Sequence, residues 1–236
     1  VTSEHHRRLA SSWVSSGTVN LLSAVHELSD SELDDATALP GWTRRHLLAH
    51  LASNAEALQR LASWAATGVE SRMYASSEQR NKDIESGSQR PAASLREWVR
   101  SSAHGLAADL DSLGQEAWQA EVVTAQGRTV PATEIPWMRA REVLVHGVDL
   151  GAGLTFADLP QDFLVALLDD VTAKRSKAGT GPALILRTDG ATLQWTVSGS
   201  GQPVEVTAPL PELAAWLSGR PHSIKATGLP QLPPWL

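Results

Sequence analysis

The chain of 236 residues contains no cysteine. That excludes disulfides, thiolate metal ligands and a protein thiol nucleophile, so a bound metal must rest on histidine and carboxylate. Any thiol chemistry must bring its sulfur from outside. Tyrosine and phenylalanine are scarce, with one and two copies beside nine tryptophans. No apolar run approaches the roughly 18 residues of a membrane-spanning helix, and the opening VTSEHHRRLA lacks the hydrophobic stretch of a secretory signal. Lysine and arginine do not cluster and the formal net charge is -6, which leaves no electrostatic footprint for nucleic acid or an anionic membrane. These absences point to a cytoplasmic protein whose partners are neither nucleic acid nor membrane. Hydrophobic residues make up 42% of the chain, enough to bury one large domain or two small ones.

What is present centres on WMRAREVLVHGVDLG, from Trp137 to Gly151. Its apolar residues point in most directions round a helix, which predicts a buried one. Yet Glu142 and His146, four residues apart, share one face, with Asp149 beside them. A carboxylate and an imidazole in such a place need an arginine, another polar side chain or a metal as partner. The spacing alone fits an ordinary ion pair as well as a metal site, and Asp149 fits a partner of a ligating histidine as well as a helix-end contact.

Taken in order, Ser3 can cap a first helix to about Leu28 with Leu9, Trp13, Leu21, Val25 and Leu28 inward. His5 and His6 read as a solvated terminus. After an acidic loop, Pro40-Gly41 precedes a helix that starts at Thr43 and runs to about Ala66. His50 lies at the edge of its apolar stripe, where a satisfied core histidine and a ligand are both reasonable. His46, one turn earlier, suits either a hydrogen-bond neighbour or the surface. A polar excursion over 67–89 carries Arg72, Tyr74, Arg80 and Lys82 and a short helix near Ser77 to Glu85; a third long helix spans about Ala92 to Leu113, with His104 structural. EVVTAQGRTV reads as a small hairpin turning at Gln126-Gly127, and Thr133 as the cap of the organising helix, with Pro136 in its first turn. Near Thr155 the character changes: a helix from about Pro160 to Lys177, a hairpin of PALILRT and ATLQWTV, a strand near Pro203 to Thr207 and a short helix from Pro211 to Ser218 form a small accessory unit. The fold class is therefore α+β, with a helical domain over 1–154 and a smaller α/β domain over 155–236. Four helices with long connections suit a bundle whose inner face holds a metal through His50, Glu142 and His146, an open three-ligand set of catalytic type.

PGWTRRHLLAHLASNA from Pro40, MYASSEQRN from Met73, VTAQGRTVPA from Val123, the Trp137 helix and LSGR near Leu217 together resemble the mycothiol-dependent maleylpyruvate isomerases, within the wider DinB-like group of metal-binding four-helix proteins. The GWT and RE…H…DL features belong to the wider group; MYASSEQRN and TAQGRTVP point to the isomerase. The resemblance implies a DinB-like four-helix bundle followed by a smaller α/β domain, with the site in the cleft between them. It implies that His50, Glu142 and His146 bind a divalent metal, usually zinc, and that Arg220, with Arg80 less firmly, serves catalysis.

The reaction so implied is the isomerisation of maleylpyruvate to fumarylpyruvate in gentisate breakdown, with mycothiol as the catalytic thiol. Rotation about a carbon-carbon double bond requires a nucleophile to add and make it single, and a thiolate both adds and leaves. Zinc would hold the thiol and lower its pKa. Arg220 and Arg80 would clamp carboxylates of a dicarboxylate keto acid and stabilise the enolate formed on addition. The same architecture would serve a mycothiol S-transferase acting on electrophiles, or a non-catalytic metal- or ligand-binding module.

Overall fold

The computed structural model describes residues 3–225 and 228–234. It divides into two compact units, Val1–Gly153 and Leu154–Leu236. The first holds helices α1 (Ser3–Glu27), α2 (Arg44–Thr67), α3 (Ser77–Ser88), α4 (Ala92–Ser112) and α5 (Gln115–Gln119), strands β1 (Glu121–Val123) and β2 (Thr129–Pro131), and helix α6 (Ile135–Asp149). Helices α1, α2, α4 and α6 make a four-helix bundle, with α3 laid against α2.

The Trp137 helix, which becomes α6, is buried as expected, with no exposed residue along its length, and the first half of α2 is enclosed as well. Every α2 residue from Leu47 to Ala55 is buried, His50, Ser53 and Asn54 included. The reason is position: α2 packs against α3, α4 and α6, so no face of its first half meets water. Its start is well specified. Thr43 and His46 form a reciprocal capping box, in which His46 Nδ1 accepts from the Thr43 backbone N–H at 3.2 Å and lies 2.8 Å from the Thr43 hydroxyl. That contact, with a second to Glu85 at 3.3 Å, assigns His46 to helix initiation.

Helix α6 lies along α1, and the close approach needs Gly17, where a Cβ would come within 2.8 Å of a Val143 methyl. The entry to α6 differs from expectation. Thr133 is not its cap: a 3-10 turn, Ala132–Glu134, runs directly into the helix with Thr133 buried inside it, while Pro136 occupies the first turn. A turn already helical in sense leaves the first N–H groups no need of a side-chain cap. The cap proposed at Ser3 falls on a side chain outside those described. His6 is not solvated: its ring packs edge-on against Trp13 and Trp137, 6.3 and 5.6 Å away, which makes it part of the α1–α6 seam. His26 and His104 are exposed. The hairpin β1–β2 pairs antiparallel as anticipated, with Gly127 at φ 75° in its turn, and α5 precedes it unannounced.

The second unit holds α7 (Gln161–Ala178), β3 (Pro182–Arg187), β4 (Gln194–Val197), β5 (Ser200–Thr207) and α8 (Leu210–Leu217). Its sheet order is β4-β3-β5, antiparallel between β3 and β4 and parallel between β3 and β5. After the hairpin the chain must therefore cross from one edge of β3 to the other within a few residues. Gly199 makes that crossing: a Cβ there would lie 2.4 Å from the Gly181 carbonyl oxygen and 2.5 Å from the Pro182 backbone. Arg175, buried on α7, donates to the Leu217 carbonyl through Nε and Nη2 at 3.1 and 2.7 Å and to the Pro233 carbonyl through Nη1 at 3.0 Å. The end of α8 and the Pro-rich tail are thus fastened to α7. No helix among the described residues is long and apolar enough to cross a membrane.

Because the obstacle at Gly199 is backbone rather than a movable side chain, Gly199→Ala is expected to destabilise the second unit by about 1–3 kcal/mol, the usual range for overpacking. Urea unfolding of the two proteins side by side measures it.

Candidate metal centre

Helix α6 carries Arg139, Glu142, His146 and Asp149 at intervals of three and four residues, so all four share the face that α6 turns toward α2. Across from them α2 presents His50 and, one turn on, Asn54. The two helices meet on the carboxylate of Glu142. His50 Nε2 lies 2.8 Å from Glu142 Oε2, and His146 Nε2 lies 3.3 Å from the same oxygen. One ligand atom from each of the three residues falls within 4.8 Å of the others. His50 is buried, whereas Glu142 and His146 keep 21% and 15% of their side-chain surface, so the trio opens on one side.

The far nitrogens of the two imidazoles are treated differently. His146 Nδ1 is bonded to Asp149 Oδ2 at 2.8 Å, with Asp149 itself buried. A carboxylate there requires a proton on Nδ1, which fixes the ring and leaves Nε2 pointing at Glu142. Asp149 is thus the partner of a centre histidine rather than a helix-end contact. His50 Nδ1 instead meets Arg80 Nη2 at 3.3 Å. The Trp42 ring, 5.4 Å from that of His50, covers the imidazole.

The electrostatics follow. Burial works against a charge on His146, but hydrogen bonds to Asp149 and Glu142 outweigh it and raise its pKa to about 9. Burial lowers the pKa of His50, and the attraction of Glu142 does not reverse this. Glu142, opposed by burial, is held well below the usual carboxylate range by the two histidines. With no ion bound, a protonated His146 supplies the positive charge that Glu142 and Asp149 demand.

Of the residues expected from the sequence, His50, Glu142, His146 and Arg80 come together. Arg220 belongs to the second unit, just past α8, where its backbone N–H donates to the Ala215 carbonyl at 2.8 Å and its Nη1 to the Ser218 carbonyl at 2.6 Å. Gly219, at φ 75°, turns the chain to place it.

Two residues went unforeseen as members of the centre. Arg139 is 1% exposed; its Nη1 donates to the Leu51 carbonyl at 2.8 Å and to Asn54 Oδ1 at 2.9 Å, tying α6 to α2 beneath the triad. Burial pulls its pKa down to about 10, while Glu142 and Tyr74 favour its charge; its Nη2 has no hydrogen-bond partner among the described residues. The signal was available in its place three residues before Glu142 on the same face. Tyr74, the sole tyrosine, is partly buried beside Ser53 and Arg80.

The donor chemistry fits a divalent cation. Two imidazoles and one carboxylate converge, one imidazole is already oriented from behind by a carboxylate, and the open side leaves room for further ligands.

The family model described as the mycothiol maleylpyruvate isomerase N-terminal domain matches residues 14–151, and the MDMPI C-terminal domain matches residues 158–234. Among solved structures, a mycothiol-dependent maleylpyruvate isomerase is similar at 35% identity and a TM-score of 0.92, covering 100% of this chain and 98% of its own. A histidine-to-alanine mutant of such an isomerase is similar at 34% identity, with the same score and coverage. A comparison with curated proteins gives no match.

In chelator-treated protein the His146 ring is expected to titrate with a midpoint near pH 9, and Asp149→Asn to lower that midpoint, as read by histidine NMR. The folded value exceeds the ordinary histidine value of 6.5, so the contribution of protonated His146 to stability is complete below pH 6.5 and is lost as pH rises through about 9.

Proposed function

Since the chain belongs to the mycothiol-dependent maleylpyruvate isomerase family, we propose that it converts maleylpyruvate, the cis isomer, to fumarylpyruvate, the trans isomer, with a divalent metal, zinc, and mycothiol as the thiol. The observation that carries the reading is the convergence of His50 Nε2 and His146 Nε2 on one oxygen of Glu142. His50, Glu142 and His146 would hold the metal. The bound metal would keep a thiol ionised near neutral pH, and the thiol would supply reversible addition to the double bond.

The chain's own residues support this in definite ways. Asp149 keeps the His146 proton on Nδ1, so that Nε2 is free to ligate once the ring is neutral. Binding therefore releases one proton from His146. Among the charged groups at the centre, Arg80 and Arg139 cancel Glu142 and Asp149, which leaves the two charges of the ion uncompensated. Such a centre favours anions, and the reaction brings a thiolate and a substrate with two carboxylates. Arg80 stands at the partly exposed edge as a donor for one of those carboxylates. We assign Arg220 the second catalytic role, stabilising negative charge that develops on the substrate; what supports it is family membership.

The test is conversion of maleylpyruvate by zinc-loaded protein with and without mycothiol, with the thiol assayed before and after. Conversion that requires mycothiol and leaves its amount unchanged supports an isomerase, whereas stoichiometric consumption marks an S-transferase. His50→Ala is expected to lose metal and activity while its circular dichroism stays that of a folded bundle; full metal retention by elemental analysis would remove His50 from the ligand set. For Arg220→Ala the expectation is intact metal with turnover reduced about a hundredfold.

A further inference from the structure

The contact between Arg80 and His50 cannot coexist with a metal on His50 Nε2. A guanidinium only donates, so Arg80 Nη2 at 3.3 Å requires a lone pair on His50 Nδ1. The single proton of the neutral ring then sits on Nε2 and is donated to Glu142 at 2.8 Å. When Nε2 gives its lone pair to a cation, that proton must reside on Nδ1. Nδ1 and Arg80 become two donors face to face, and the contact breaks. His146 faces no such conflict, because Asp149 already accepts from its Nδ1.

An acceptor for the displaced guanidinium stands beside it. The Arg80 guanidinium carbon is 6.0 Å from the centre of the Tyr74 ring, and the phenol group has Arg80 and Ser53 as its polar neighbours. A phenol oxygen can accept from Arg80 while its own O–H donates onward to Ser53. Tyr74 is also well anchored. Its ring packs on the core cluster that includes Met73 and Leu61, and the Met73 carbonyl accepts from Arg60 Nε at 3.0 Å. Arg80 is less constrained: it projects from the polar helix α3, and besides His50 and Tyr74 it meets Asn81 Oδ1 at 3.3 Å on the exposed side.

We propose that Tyr74 is a positioning residue for Arg80: once His50 ligates a metal through Nε2, Arg80 leaves Nδ1 and its guanidinium is held by the Tyr74 hydroxyl, facing the substrate. The inference rests on the metal reading above. It makes Arg80 a donor that is occupied in the metal-free protein and available in the loaded one.

The experiment is a crystal structure of the zinc-loaded protein together with kinetics of Tyr74→Phe, Arg80→Ala and the double variant, each with its zinc content measured. Expected are one zinc per chain in all four proteins and an Arg80 nitrogen about 3 Å from the Tyr74 oxygen, no longer within reach of His50 Nδ1. Tyr74→Phe, which keeps the packed ring, should raise KM about tenfold with its thermal midpoint unchanged. In the Arg80→Ala background the same substitution should have no further effect, because Tyr74 acts through Arg80. Zinc bound with Arg80 still on His50, Arg80 turned to Asn81, or additive effects in the double variant would each overturn the proposal. A wild-type protein that binds no zinc would overturn the metal reading as well, and that outcome is distinct from the other three.

Discussion

One carboxylate joins the two helices on which the first unit depends. Glu142 projects from α6 and receives His50 from α2 and His146 from its own helix. An anion at that depth is tolerable only with positive partners, since a broken buried pair costs on the order of 3–5 kcal/mol. The burial of α2 along Leu47 to Ala55 follows the same need: a helix that must present an imidazole to the interior at a fixed point is best enclosed on every side.

The surrounding charges leave the centre positive in either state, by the proton on His146 without an ion and by the ion itself once that proton has left. In the metal-free protein His146 carries the proton that Glu142 and Asp149 call for, with its pKa raised to about 9. A cation that displaces that proton inherits the same two carboxylates. Arg139 contributes from below, bonded to α2 through the Leu51 carbonyl and Asn54, so one side chain both fastens the helices and adds positive charge. Any ligand drawn to the loaded centre meets that charge from two sides, Arg139 beneath and Arg80 at the rim.

Much of this was legible in the sequence, for identifiable reasons. Glu142 and His146 announce themselves by a four-residue spacing inside an apolar helix, and His50 by its place at the edge of an apolar stripe. Those are helix-periodic signals, which survive without knowledge of the partner helix. The role of Asp149 needed the structure, because three residues of spacing permit a bond to His146 without requiring it. Arg139 was passed over since an arginine in a helix is ordinarily solvated, and only the packing of α6 on α2 closes water off from it. The parallel placement of β5 depends on which edge of β3 the chain reaches after Gly199, a long-range choice with no local signature. Thr133 misled because its residue type suits a cap, while the backbone entered α6 through a 3-10 turn.

The centre divides its labour according to how firmly each part is held. The three converging candidate ligands sit on α2 and α6, long helices packed in the bundle, where positions can be kept to within fractions of an ångström. Arg80 comes instead from the segment between α2 and α4, whose residues from Ala75 to Gln79 are exposed. A metal site gains from rigidity, because ligand geometry decides affinity. A group that must greet a substrate gains from freedom to move, which a rim with few packing contacts provides. The absence of cysteine fits the same division: with no nucleophile built into the bundle, the proposed reaction would ask the rigid part only to hold and charge an incoming thiol, and the rim only to steer what the thiol attacks.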